Sequence, residues 1–113
     1  MSVVIYHNPR CSKSRQTLQL IEEKGVEPEV ILYLETPPAV EELKDIIAKL
    51  GISPRELLRK KEAKEAGLND DSLSDDELIK GMIANPRTIE RPIVVKEEKA
   101  VLGRPPENVL DLL

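Results

Sequence analysis

The sequence predicts an α/β domain, built in the order β-α-β, helical insert, β-β-α around a four-stranded mixed sheet. Three observations predict it. A β-branched run, Val3-Val4-Ile5-Tyr6, is followed by a helix-like run and then by a second apolar run, Val30-Ile31-Leu32-Tyr33. The middle of the chain carries apolar residues at helical spacing. The last quarter returns to two short β-branched runs, separated by Glu97-Glu98. A strand, a helix of about three turns and a second strand form a βαβ unit, which favours parallel pairing and a right-handed crossover.

Each element has its own signal. The first helix is expected from Ser12 to Lys24, with Leu18 and Ile21 on the face of Ser14. Gly25 suits the left-handed position that ends it. The second strand, Val30–Tyr33, is apolar throughout, as a strand covered on both faces would be. Thr36-Pro37-Pro38 breaks the pattern, and proline is tolerated in a first helical turn, so a helix begins just after it. Leu43, Ile46, Ile47 and Leu50 form its apolar stripe and Gly51 stops it. Ser53-Pro54-Arg55-Glu56 reads as a capping box that starts a short helix with Leu57, Leu58 and Arg59. Lys60 to Asp71 is charged and reads as a solvated helix end and loop. Ser74-Asp75-Asp76-Glu77 is a second capping box. Its helix carries Leu78, Ile79, Met82 and Ile83 and ends near Asn85-Pro86. Strands follow at Arg91–Val95 and Ala100–Gly103, with a hairpin turn at Glu97-Glu98. A final short helix carries Val109, Leu110, Leu112 and Leu113. A single domain, 1–113, is expected, with the helical insert at about 39–83.

Composition narrows the function. With two tyrosines and no Phe or Trp, the core must be built from Leu, Ile and Val. A net charge of −4 argues against wholesale nucleic-acid binding. One cysteine allows no internal disulfide and fits a reducing compartment. No apolar run approaches the roughly 18–20 residues that span a membrane. The first strand begins at once, with no signal-peptide pattern. A cytoplasmic protein without membrane or nucleic-acid partners is expected.

The chemistry is concentrated in His7-Asn8-Pro9-Arg10-Cys11-Ser12-Lys13-Ser14-Arg15, which holds the only histidine and the only cysteine. Cys11 falls where a strand hands over to a helix. Unpaired backbone N–H groups and the positive end of the helix dipole favour a thiolate there. Arg10, Lys13, Arg15 and a protonated His7 would add to that field. A lone cysteine is often a small buried hydrophobe. Here its neighbours are charged or polar, and the reading is a nucleophilic thiol beside an anion site. His7, four residues before Cys11, is either a partner of the thiol or a structural histidine. One cysteine and one histidine do not make a zinc site, which typically takes four ligands. No glycine-rich phosphate fingerprint is present. No metal and no tightly bound cofactor are expected.

The element order is the thioredoxin-like arrangement with helices inserted between its halves. Pro92 stands where such folds resemble one another in having a cis-proline facing the cysteine. Within that class the chain resembles the glutaredoxin-type arsenate reductase family, and its small chromosomal branch in particular. The residues that carry the resemblance are Tyr6-His7-Asn8-Pro9 with Cys11 and Ser14-Arg15, then Tyr33-Leu34-Glu35-Thr36-Pro37-Pro38. It continues through Leu57-Leu58-Arg59-Lys60 and Arg91-Pro92-Ile93-Val94-Val95 to Gly103-Arg104-Pro105. The resemblance implies that Cys11 attacks arsenate or a similar oxyanion. It implies that Arg59, Arg91 and Arg104 bind the anion, a role to which Arg15 in the same basic loop is added. It places the histidine that tunes the thiol at His7 and a supporting serine at Ser14. Guanidinium groups suit a tetrahedral anion because they offer planar pairs of N–H donors.

A single thiol cannot supply two electrons and close an internal disulfide. An external thiol is therefore needed, and the resemblance implies glutathione as co-substrate and glutaredoxin as the partner that regenerates Cys11. Two other functions compete. The spacing of Cys11 and Ser14 also suits a general glutathione-linked thiol oxidoreductase, although a disulfide substrate needs no oxyanion cradle. A related branch resembles redox-switched transcription regulators, but Ser14 stands where their second cysteine would be.

Overall fold

The β-branched residues at the start of the chain form β1 (Val3–Tyr6). In the computed structural model, which describes residues 3–113, the contacts divide the chain into two compact units. The first is made of Met1–Thr36 and Arg91–Leu113; the second is Pro37–Glu90.

The first unit contains the whole sheet, in the order β2-β1-β3-β4. β1 pairs in parallel with β2 (Glu29–Ile31), Tyr6 opposite Ile31. On its other side β1 pairs antiparallel with β3 (Ile93–Lys96), which pairs antiparallel with β4 (Lys99–Leu102). The hairpin closes on Glu97-Glu98, with Lys96 opposite Lys99 and Glu97 in the left-handed region at φ 57°. α1 (Ser12–Glu23) ends as expected. Gly25, at φ 78°, donates to Glu22 O, and Val26 donates to Ile21 O. That pair of bonds is a Schellman cap, which residues other than glycine rarely permit. The core is aliphatic: Val3, Ile5, Ile21 and Val94 with Val109 of the C-terminal 3-10 helix (Pro106–Asp111) and Leu112 just after it.

The buried face of α1 changes character along its length. Ser14 and Thr17, nearest the cysteine, are polar; Ile21, farther down, is apolar, and all three are buried. Thr17 Oγ1 donates to Lys13 O at 2.8 Å and lies 3.4 Å from Gly103 O. Gly103 N–H donates to Pro92 O at 2.9 Å. A Cβ on Gly103 would sit 2.5 Å from Thr17 Oγ1 and 2.8 Å from Pro92 Cγ. Glycine is therefore required by close approach. The peptide bonds Arg91-Pro92 and Arg104-Pro105 are both cis. The first is the one that the resemblance implies, and the second was not expected.

The second unit holds the helices. In α2 (Val40–Leu50), Leu43, Ile46 and Ile47 are buried, and Gly51 caps it at φ 71°. The capping box of α4 (Asp75–Ala84) is formed: Glu77 N–H donates to Ser74 Oγ, and Ser74 N–H donates to Glu77 Oε1 at 2.9 Å. Leu78, Ile79 and Met82 of that helix are buried. α3 (Lys60–Glu65) is short and packs Ala63 with Leu68 and Leu78.

Three expectations need correction. The second strand is not a covered strand at Val30–Tyr33. It is the three-residue edge strand Glu29–Ile31, and Val30 is 43% exposed. The chain turns away after it, with Glu35 N–H and Thr36 N–H donating to Leu32 O, so Tyr33 is buried from a turn rather than from the sheet. The box at Ser53 does not form. Pro54–Leu57 is a single 3-10 turn whose Ser53 side chain caps nothing. The Glu56 N–H that the box would use already donates to Ser53 O at 3.1 Å in the tighter 3-10 pattern. The first half of Lys60 to Asp71 is not the solvated end of the preceding helix but a separate helix, α3, around buried Ala63.

Gly103→Ala should lower unfolding stability by about 1–3 kcal/mol, the usual scale for overpacking, in urea denaturation. Combined with Thr17→Ala, which removes two of the three close atoms, the loss should be less than additive. In the second unit, Ser74→Ala should cost about 1 kcal/mol through loss of the cap.

Candidate active site

The site is assembled from the loop between β1 and α1. Asn8 organises that loop. Its backbone carbonyl accepts from Cys11 N–H at 3.0 Å, and its side-chain Oδ1 accepts from Arg10 N–H at 3.0 Å. Short polar side chains that bond the backbone two residues on are a turn-forming device. Arg15 Nη1 donates to Pro9 O at 2.9 Å and straps the loop from the far side. Cys11 is the N-cap residue of α1, in extended conformation (φ −95°, ψ 123°), and accepts from Arg15 N–H through its carbonyl. Its side chain makes no capping bond, and the thiol is half-buried. No acidic residue occupies the first turn of α1. The thiol thus sits at the positive end of a helix without a compensating carboxylate, with Arg10, Lys13 and Arg15 exposed around it.

Below the loop lies a buried pair. His7 Nδ1 and Ser14 Oγ are 2.7 Å apart, and Ser14 Oγ also accepts from Asn8 N–H at 3.0 Å. Ser14 is fully buried and His7 is 6% exposed. Burial pushes the His7 imidazole below the ordinary histidine value, and the nearby Arg15 guanidinium pushes it further the same way. His7 is therefore neutral at neutral pH. That shift disfavours the positive charge that a protonated His7 would lend the thiol, whereas Arg10, Lys13, Arg15 and the helix end supply theirs without it.

The arginines fall in two groups. Arg91 stands just before cis-Pro92 and Arg104 just before cis-Pro105, and Arg104 Nη1 approaches Arg91 O at 3.4 Å. Both segments are tied to α1 through Gly103 and Thr17. Arg59 belongs to the second unit, at the N-cap of α3. Its position there is fixed by the bridge between Leu58 and Ile89, with Arg59 N–H donating to Thr88 O and Glu90 N–H to Leu57 O. Its guanidinium pairs with Glu62 at 3.0 Å and Glu90 at 3.7 Å. Neither carboxylate was singled out in the sequence, although Glu62 lies three residues on in a helix, a spacing at which side chains meet. Asn8 and Gly103 stand in the stretches that carry the resemblance but were given no role, and Thr17 was not singled out; the one available signal for it was two polar residues, Ser14 and Thr17, on the inward face of a helix. Among the described residues no group of three or more metal-ligating side chains converges, and no helix is long and apolar enough to cross a membrane.

A mixed β2-β1-β3-β4 sheet, a cysteine at the head of the first helix and a cis-proline leading into β3 define the thioredoxin-like class. Comparison with known proteins places the chain more closely. The ArsC family model matches residues 6–112. The chain is 58% identical to uncharacterized protein YfgD of Escherichia coli (strain K12), over 98% of this chain and 96% of that one. It is 50% identical to an arsenate reductase of Haemophilus influenzae over the full length of both. Among solved structures, an arsenate reductase from Vibrio cholerae superposes with a TM-score of 0.96 at 56% identity, covering 100% of this chain and 98% of that one. The protein belongs to the ArsC family.

Because its folded-state pKa is depressed, His7 contributes stability that is full above the ordinary histidine value of about 6.5 and is lost as pH falls toward the lower folded value. Unfolding measured between pH 8 and pH 5 should show this loss, and His7→Asn should reduce it. In an NMR titration the ring should gain its proton below the ordinary value; a charged ring at pH 7 would contradict the assignment.

Proposed function

We propose that this protein reduces arsenate to arsenite at Cys11, with glutathione and glutaredoxin as reductants. The observation that carries the proposal is the single cysteine, half-buried at the N-cap of α1 beside the exposed basic residues Arg10, Lys13 and Arg15, in a chain with relatives of about 50% identity that are named arsenate reductases.

The chemistry divides into three exchanges. The Cys11 thiolate attacks arsenic, an S–As bond forms, and an arsenate oxygen leaves as water after protonation. No electrons change hands in that step. A glutathione thiolate then attacks the Cys11 sulfur. The S–S bond forms as the S–As bond breaks, and its electron pair passes to arsenic, which departs as arsenite. Each sulfur has lost one electron and arsenic has gained two. Glutaredoxin thiolate finally takes the glutathionyl sulfur and frees Cys11. Arg91, Arg104 and Arg15 hold the oxyanion and the charge that builds on it; Arg59 is the further arginine that the resemblance implies. His7 and Ser14 position the loop that presents the thiol.

The test is arsenate-dependent NADPH oxidation in a mixture of glutathione, glutaredoxin and glutathione reductase. Wild-type activity should fall to background in Cys11→Ser; a mutant that still turns over would remove Cys11 as nucleophile. A wild-type protein inactive on arsenate, whose Cys11 is nonetheless rapidly alkylated, would transfer the assignment to a general thiol oxidoreductase. Hydrogen bonds to charged groups are worth about 1.5–3 kcal/mol, so Arg91→Ala or Arg104→Ala should raise KM for arsenate by roughly 10- to 100-fold.

A further inference from the structure

The first unit has a cleft of about 320 Å³ on the β2 side of the loop, lined by His7, Asn8, Pro9, Arg10, Leu32, Leu34 and Glu35. That volume lies at the lower end of the roughly 300–1,000 Å³ typical of small-molecule sites. Its polar groups can be assigned by counting protons. Ser14 Oγ accepts from Asn8 N–H, and its other hydrogen bond is to His7 Nδ1. A hydroxyl carries one proton, and the one acceptor facing it is Nδ1. The neutral imidazole therefore carries its own proton on Nε2. Among the described residues no group accepts that Nε2–H, although His7 is more than nine-tenths buried.

Two further groups on the cleft are uncommitted. The Arg10 guanidinium and the Glu35 carboxylate make no ion pair or side-chain hydrogen bond among the described residues. Leu34, 42% exposed, supplies an apolar rim. Opposite charges in one small cleft select against simple ligands. A bare anion is repelled by Glu35 and a bare cation by Arg10. An apolar molecule would leave three polar groups desolvated and unpaired, each at a cost. A ligand with both charges, joined by a short peptide-like body, satisfies all of them. The cleft also adjoins the thiol in sequence, since Arg10 immediately precedes Cys11.

We propose that this cleft seats the non-reacting end of a zwitterionic thiol peptide, the co-substrate whose sulfur completes the reaction at Cys11. Its carboxylate lies on Arg10 and the His7 Nε2–H, its ammonium on Glu35, and its body against Leu32 and Leu34. The assignment rests on the thiol-coupled reduction proposed above. It also gives His7 a second task, as a neutral donor to the co-substrate.

The test uses S-methylglutathione, whose blocked sulfur permits binding without reaction, titrated into the full-length ¹⁵N-labelled protein. Shifts should map to Asn8, Arg10, Leu34, Glu35 and the His7 ring. Glu35→Gln, at an exposed position, should weaken binding at least fivefold. In the coupled assay it should raise KM for glutathione at least fivefold and move KM for arsenate less than twofold. No binding, shifts confined to other surfaces, or unchanged affinity in Glu35→Gln would overturn the cleft. A protein that reduces arsenate but binds S-methylglutathione elsewhere loses the cleft and keeps the reductase assignment. One that binds it in the cleft yet reduces no arsenate keeps the cleft and loses that assignment.

Discussion

One buried hydroxyl holds the active loop together. Ser14 Oγ takes the Asn8 N–H and faces His7 Nδ1, so a single atom joins the end of β1, the loop and the first turn of α1. Ser14 and His7 are buried and Asn8 is half-buried. An unpaired buried donor or acceptor costs about 1–3 kcal/mol, so other loop conformations that break the pair are disfavoured. The presentation of Cys11 follows from this constraint, because Asn8 also accepts the Cys11 N–H. So does the neutrality of His7. An imidazole largely buried beneath a basic loop, with Arg15 close by, is poorly placed to hold a second proton. The histidine and the arginines thus divide the labour: one shapes the loop, the others charge it.

The same economy runs down α1. Its inward face is polar beside the chemistry and aliphatic where the core begins. Thr17 is the changeover point. It touches Gly103, and Gly103 is bonded to Pro92. The two segments carrying Arg91 and Arg104 are therefore registered on the helix that carries the thiol. Helix, hairpin and arginines are set by contacts that leave no space for a single methyl group at Gly103.

Much of this was legible in the residues. β-branched runs, the glycines that end α1 and α2, and the Ser74 box each rest on local chemistry, and local chemistry is what a sequence displays. The Cys11 loop was legible for the same reason. What escaped was non-local. Val30-Ile31-Leu32-Tyr33 looks like a covered strand, yet it peels off the sheet after Ile31 because Tyr33 is buried from a turn. Ser53 has the letters of a box without a helix long enough to use it. The Glu90 partner of Arg59 depends on a bridge between distant segments, Leu58 with Ile89. The tautomer of His7 needs the position of a hydroxyl, which no spacing rule supplies.

The two outer strands of the sheet carry a consequence for encounters with other chains. β2 is three residues long, follows Pro28 and begins with Glu29; β4 begins with exposed Lys99. Open strand edges invite pairing with other chains, and brevity, proline and charge are the usual deterrents. Here they flank an exposed Val30 that would otherwise offer an adhesive rim. Outer strands that are short and charged at their starts thus keep the sheet from growing into ribbons with other chains.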